Sequence, residues 1–130
     1  MTPALFVNCS KHPFVDLMMT HRKPFETRTR NTLKSLLDSF IGEQILLAET
    51  GNGAPLAKAT ARIDYYIAVY TREEWEKYRD QVQIPAGSEY DWKPETKVKW
   101  LYHLTDVRPI EPFRLPQSCR RHGRVWAEYE

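Results

Sequence analysis

The sequence predicts an α+β domain: a curved sheet of mixed or antiparallel strands, barrel-like in outline, with about three flanking helices. Segments patterned as strands outnumber those patterned as helices. They also fail to alternate strand–helix–strand, as a doubly wound parallel sheet would require. The longest patterned run, 56–70, alternates with period two and is too long to stay straight, so it must bend or bulge and curve the sheet.

One domain, 1–130, accounts for the chain, with no internal repeat, low-complexity run or second-domain boundary. At 42% hydrophobic and 28% charged residues it can bury a core, which excludes disorder. A net charge of +2 is only mildly basic, so an anionic partner must be argued from where the charge sits. Cys9 and Cys119 can at most form one bridge and make no disulfide framework. There is no signal-peptide pattern, and no apolar run approaches the roughly 18 residues of a membrane span. A soluble, cytoplasmic protein with no membrane partner is expected. The sequence leaves its oligomeric state open.

Taken in order, Ala4 to Asn8 reads as a short buried strand. Ser10 is placed to cap a helix with Pro13 in its first turn and Phe14, Val15, Leu17 and Met18 facing the sheet. Asn31 is placed to cap a second helix over 32–40, with Leu33, Leu36, Leu37 and Phe40 at helical spacing and Gly42 ending it. Gln44 to Ala48 is apolar enough for a strand covered on both faces, and Gly51-Asn52-Gly53 reverses the chain. In the long strand, Ala57, Ala59, Ala61, Ile63, Tyr65, Ile67 and Val69 are expected to share one face. Thr71 and Glu74 form a capping box for a third helix, whose inner stripe is Trp75, Tyr78 and Val82. Residues 84–96, with Pro85, Gly87 and Pro94, read as a loop and candidate lid. Val98 to Thr105 alternates as a strand, and Pro109, Pro112 and Pro116 predict an irregular edge or linker after it. Arg124 to Tyr129 alternates again and is expected to close the sheet.

The most informative chemistry lies in Lys23-Pro24-Phe25-Glu26-Thr27-Arg28-Thr29-Arg30. Pro24 holds Lys23 extended, and the alternation that follows puts Phe25, Thr27 and Thr29 on one side of a strand. Glu26, Arg28 and Arg30 take the other, with Lys23 at their mouth. Such a face is either a solvated surface with a Glu–Arg cross-pair or a charged cleft. In a cleft, Lys23 and Arg28 would meet a phosphate or polarised carbonyl, and Glu26 would accept a proton or a base amino group.

His21-x-Lys23-x-x-Glu26-x-Arg28, after a first strand and a short helix, resembles the Gly-x-Lys-x-x-Glu-x-Arg motif of ASCH domains in the PUA-like superfamily of small β-barrels. Gly42 with the run to Ala48, Trp100 with Asp106 to Ile110, and Gly123 to Trp126 resemble later elements of that family in the expected order. The resemblance implies a PUA-like β-barrel with a cleft of Lys23, Glu26 and Arg28 for RNA, DNA or a nucleoside. It also implies one of several activities: nucleic-acid binding, nuclease action, or amide hydrolysis of N4-acylated cytidine with Lys23 and Glu26 as catalytic pair; an accessory or interaction domain without catalysis is the remaining alternative. Two departures stand out. His21 occupies the family's Gly position, and Glu26 stands where the hydrolytic members carry a hydroxyl side chain.

Arg120, Arg121 and Arg124 form a second basic cluster, read either as an extension of a phosphate-binding face or as a solvated loop. Trp92, in the loop, is the stacking candidate for a base, whereas Trp100 and Trp126 sit at strand spacing and suit a core. The isolated Cys119-x-x-His122 pair makes no zinc site, and no phosphate loop or nucleophile elbow is present. No metal or cofactor is called for.

Overall fold

A single seven-stranded sheet runs through the computed structural model, which describes residues 2–30, 32, 34–123 and 125–129. The strands are β1 (Thr2–Asn8), β2 (Phe25–Arg28), β3 (Gln44–Thr50), β4 (Leu56–Val69), β5 (Lys99–Arg114), β6 (Arg120–His122) and β7 (Trp126–Tyr129). The helices are α1 (Phe14–Met19), α2 (Lys34–Phe40), α3 (Arg72–Lys77) and α4 (Arg79–Val82). The sheet order is β2-β5-β4-β3-β1-β7-β6, with β1 parallel to β3 and the other pairs antiparallel. This is the mixed, curved α+β sheet that the sequence predicts.

The ladder is not closed, but side chains join β2 to β1 and, through Thr32, β7 to β5. Arg28 Nη2 on β2 donates to the Phe6 carbonyl on β1 at 2.5 Å. Trp126 Nε1 on β7 donates to Thr32 Oγ1 at 2.8 Å, and that hydroxyl lies 3.1 Å from Tyr102 Oη on β5. The curvature comes from β4, whose register against β5 shifts three times, between Ala57/Ala59, Thr60/Arg62 and Ile63/Tyr65. The last shift breaks the expected alternation. Ala57, Ala59, Ala61 and Ile63 are buried as predicted, whereas Tyr65 is turned out and 45% exposed.

Two hydrophobic clusters flank the sheet. The larger contains Leu5, Val7, Ile45, Leu47, Trp75 and Trp126; the smaller, on the other side of β1 and β3, contains Phe6, Leu46, Ala48 and Leu115. Burial of β3 from Ile45 to Ala48 on both faces explains why its sequence is continuously apolar.

Several expectations need correction. Among the described residues there are four short helices rather than about three, because the third divides at Tyr78. Thr71 caps α3 as predicted, its hydroxyl accepting from the Glu74 N–H at 3.1 Å. Ser10 caps nothing: its N–H and hydroxyl donate to Asn8 Oδ1 at 3.0 and 2.8 Å, and Pro13 stands at the helix start. The cap predicted at Asn31 lies outside the described residues, as does Leu33. The prolines do not end β5, which runs through Pro109 and Pro112 to Arg114. Its far half pairs only with β4, because β2 covers just Trp100 to His103. A free edge tolerates the missing N–H of proline. Cys9 and Cys119 are both free thiols. Among the described residues no helix is long and apolar enough to cross a membrane.

The turn after α1 positions the Lys23 segment. His21 has φ +62, the left-handed conformation that glycine takes without strain. Its N–H bonds the Met18 carbonyl at 3.1 Å and the Arg22 N–H bonds that of Leu17 at 2.9 Å, which together form a Schellman end. The Lys23 N–H adds a bond to Leu17 at 3.1 Å. His21 is exposed, so His21→Gly should relieve strain without disturbing the packing around it. We expect a gain of a few tenths to about 1 kcal/mol, moderated by the larger entropy of the unfolded glycine chain. Urea denaturation measures it, and a loss of stability would refute this account of the turn.

Candidate nucleic-acid interface

Lys23, Glu26 and Arg28 converge where the turn after α1 meets β2. Lys23 is 1% exposed and Glu26 4% exposed, so the segment is not an ordinary solvated strand face. Pro24 starts the extended run, and its carbonyl accepts from the Leu104 N–H at 2.8 Å, which fixes β2 against β5. The Lys23 side chain donates to the carbonyl of Val82, the last residue of α4. Its ammonium also lies 4.8 Å from the centre of the Phe14 ring.

Glu26 is held from two sides. Its Oε1 accepts from the Thr27 N–H at 2.8 Å, and its Oε2 lies 3.2 Å from Arg28 Nη2. Arg28 Nε is buried with no hydrogen-bond partner among the described residues. An unmet buried donor typically costs about 1–3 kcal/mol, so an acceptor reaching it would be well rewarded.

Burial lowers the Lys23 ammonium to about 8; Glu26 draws it back up and Arg28 pushes it further down. Near neutral pH this amine therefore exchanges protons far more readily than an ordinary lysine. Cys9, close by, is pushed up to about 11, chiefly by burial, so it remains a thiol and offers no nucleophile.

The hollow around these groups is lined by Val7, Phe14, Thr27, Ile84 and Tyr90 and holds about 50 Å³. Liquid water occupies about 30 Å³ per molecule and ligand pockets span roughly 300–1,000 Å³, so this hollow takes a small polar group rather than a whole nucleoside. Tyr90 forms its outer wall, with its ring edge-on to Phe14 at 5.6 Å.

Beyond Tyr90 lies a wider, open cleft of about 580 Å³, lined by Thr29, Arg30, Lys93, Glu95, Lys97 and Lys99 among others. Lys99 is 4% exposed, and its ammonium donates to Thr29 Oγ1 at 3.2 Å and to the Tyr90 carbonyl at 3.0 Å. Burial lowers its pKa; Asp91 opposes that effect and Lys93 adds to it. Sequence reasoning missed Lys99 because it shares an apparent outer row with His103 and Thr105. Leu101 in that same row was the available signal that the row is not uniformly wet.

The other predicted site residues are placed as follows. Arg30 lines the wide cleft rather than the Lys23 hollow. Trp92 is half-buried in the fixed part of the loop, its ring 6.4 Å from that of Trp75. Arg121 lies over the Phe6 ring at 4.6 Å, across β1 from the Val7 side that lines the hollow. Arg120 is exposed, with Glu128 at 4.0 Å, and both arginines belong to the edge strand β6. Arg124 lies outside the described residues. Among the described residues no three metal-ligating side chains converge.

No family model matches the sequence, and no curated protein matches it. Solved structures do match. A serine-to-alanine mutant of the ASCH protein from Zymomonas mobilis superposes with a TM-score of 0.75 at 14% identity, covering 99% of this chain and 88% of that one. An ASCH structure from the same organism gives 0.69 at 17% identity, over 88% of this chain and 73% of that one. A tyrosine-to-phenylalanine mutant gives 0.68 at 16% identity, over 88% and 76%. Identity this low shows the fold alone, and that fold is the one the motif resemblance implied.

Proposed function

We propose, from the ASCH fold that this chain shares with the Zymomonas mobilis structures, that it is a nucleic-acid-binding domain recognising one nucleotide of RNA or DNA at Lys23, Glu26 and Arg28. The supporting observation is the convergence of two cations and a carboxylate in a sheltered hollow, one cation having a buried N–H that lacks an acceptor among the described residues. The hollow suits the edge of a nucleotide. A phosphate or carbonyl oxygen would face Lys23 and Arg28, and an amino group would face Glu26.

Fluorescence anisotropy with short RNA and DNA strands tests this reading. Lys23→Met keeps the length of the buried side chain, and Arg28→Ala removes the unmet donor. Each should weaken binding by tenfold or more, since a hydrogen bond to a charged group contributes roughly 1.5–3 kcal/mol. Unchanged affinity in both folded variants would refute the reading.

A second reading rests on the lowered Lys23 pKa beside Glu26. It is amide hydrolysis of an N4-acylated cytidine, with Lys23 activating water or attacking the acyl carbon and Glu26 relaying the proton. Ultraviolet absorbance would follow turnover, which should rise with pH through about 8 as the amine loses its proton. Turnover no greater than that of Lys23→Met removes this reading for the substrates tried.

A further inference from the structure

Many cations elsewhere on the molecule have a carboxylate partner, although Arg22, Lys77, Arg114 and Arg121 show none among the described residues. Lys11, Lys34, Arg72 and Arg108 each have one within 4.0 Å, and so do the partly buried Lys58 and Arg79. The wide cleft differs in gathering several such cations in one place. Among the described residues no carboxylate lies within that range of Arg30, Lys93, Lys97 or Lys99, although all four line the same concavity. Two of the carboxylates that share the cleft are already engaged, Glu89 by Lys11 at 3.2 Å and Asp91 by Arg79 at 2.8 Å. Among the described residues lining the cleft, only Glu95 remains to offset four cations.

Lys99 sharpens the point. It stands at the cleft floor, almost fully buried, with its ammonium bonded to two neutral oxygens. An ammonium carries three N–H groups, so one is left for an incoming acceptor. Keeping a buried cation with no carboxylate in direct contact costs stability, and an anion bound in the cleft would offset part of that cost.

The cleft also begins where the Lys23 hollow ends. Thr29 and Arg30 follow directly on Arg28, and Tyr90 walls the hollow with its ring while its carbonyl holds Lys99. A chain with one nucleotide edge in the hollow would therefore pass its neighbours into the cleft.

We infer that this cleft is a backbone track for a single-stranded nucleic acid, with flanking phosphodiesters lying against Arg30, Lys93, Lys97 and Lys99. The inference rests on the nucleotide reading of the Lys23 hollow and adds to it the polymer and its direction of exit. A concave track beside a hollow that takes a base edge suits unpaired bases rather than a duplex.

The test uses the full chain, a labelled short single-stranded RNA and DNA, a duplex of equal length, and a labelled mononucleotide. Lys93→Glu/Lys97→Glu alters two side chains at the cleft surface, and circular dichroism checks that it folds. It should weaken oligonucleotide binding at least tenfold and leave mononucleotide binding unchanged. The slope of log affinity against log salt should flatten by about 0.7 for each phosphate that is no longer neutralised. Duplex should bind more weakly than single strand. If the double variant keeps wild-type oligonucleotide affinity and salt slope while Lys23→Met loses both ligands, the track is refuted and the nucleotide reading stands. If Lys23→Met is silent while the double variant loses oligonucleotide, the track stands and the reading at Lys23 falls. Equal binding of duplex would overturn the single-strand assignment.

Discussion

Wild-type protein should gain stability relative to Lys23→Met as pH rises from about 7 to about 10.5. The sign follows from which state holds more protons. Folding lowers the lysine from 10.5 to about 8, so between those values the unfolded chain binds the proton and the folded chain does not. Below about 8 both states are charged, and the folded protein carries the full cost of a buried ammonium. That cost is relieved as pH climbs through the folded value, and is gone above the unfolded one. At about 1.4 kcal/mol per pKa unit, the relief is on the order of 3 kcal/mol. Lys99 shifts the same way but is present in both proteins, so taking the difference removes it. Urea denaturation of the two proteins across this range gives the difference directly. A flat or falling difference would mean that Lys23 is not held as a desolvated amine, and the hydrolytic reading would lose its support.

The same buried lysine shows what the sequence could and could not reveal. The alternation of 23–30 placed Glu26 and Arg28 together correctly, because a strand's period is a local property. Whether that face was wet depended on the segment after α4 and the loop bearing Tyr90, which lie some 60 residues further along the chain. Nothing local to β2 encodes that cover. The turn at His21 was legible only through the family motif, since a lone histidine seldom marks a left-handed residue. The prolines of β5 misled for a related reason. Proline excludes a central strand, and the sequence did not show that β2 is too short to cover the far half of β5, leaving it an edge. Residues 84–96 read as a loop and candidate lid, yet Asp91 within them is the loop's internal anchor, a role set by partners as distant as Trp75.

Asp91→Ala is accordingly expected to have the largest effect on stability of any single change here. Asp91 is 3% exposed and saturated with donors. Its Oδ1 accepts from Trp75 Nε1 at 2.9 Å, from Arg79 Nη1 at 2.8 Å and from the Trp92 N–H at 2.8 Å; its Oδ2 accepts from the Gly87 N–H at 2.7 Å. One carboxylate thus ties α3, α4 and both ends of the 87–92 turn. Together these donors outweigh its desolvation and hold it well below the usual carboxylate range. Truncation strands a buried indole N–H, an amide and a guanidinium, and breaking a buried pair from one side typically costs about 3–5 kcal/mol. Asp91→Asn should lose less, since one oxygen remains, although its amide must face a donor. For a depressed carboxylate the stabilisation is present above the unfolded pKa, near 3.8, and lost only as pH falls towards the folded one. The stability gap between wild type and Asp91→Asn should therefore hold steady down to about pH 4 and close below it. The consequence for the site is direct, because the same turn holds Tyr90 against the hollow and its carbonyl against Lys99. In Asp91→Ala the loop should become sensitive to limited proteolysis between 84 and 98. The Lys23 pKa should also climb back towards 10.5 as water reaches it, which would erase the alkaline gain in stability. Wild-type melting together with an uncut loop in Asp91→Ala would show that the wall of the hollow is held by something other than this carboxylate.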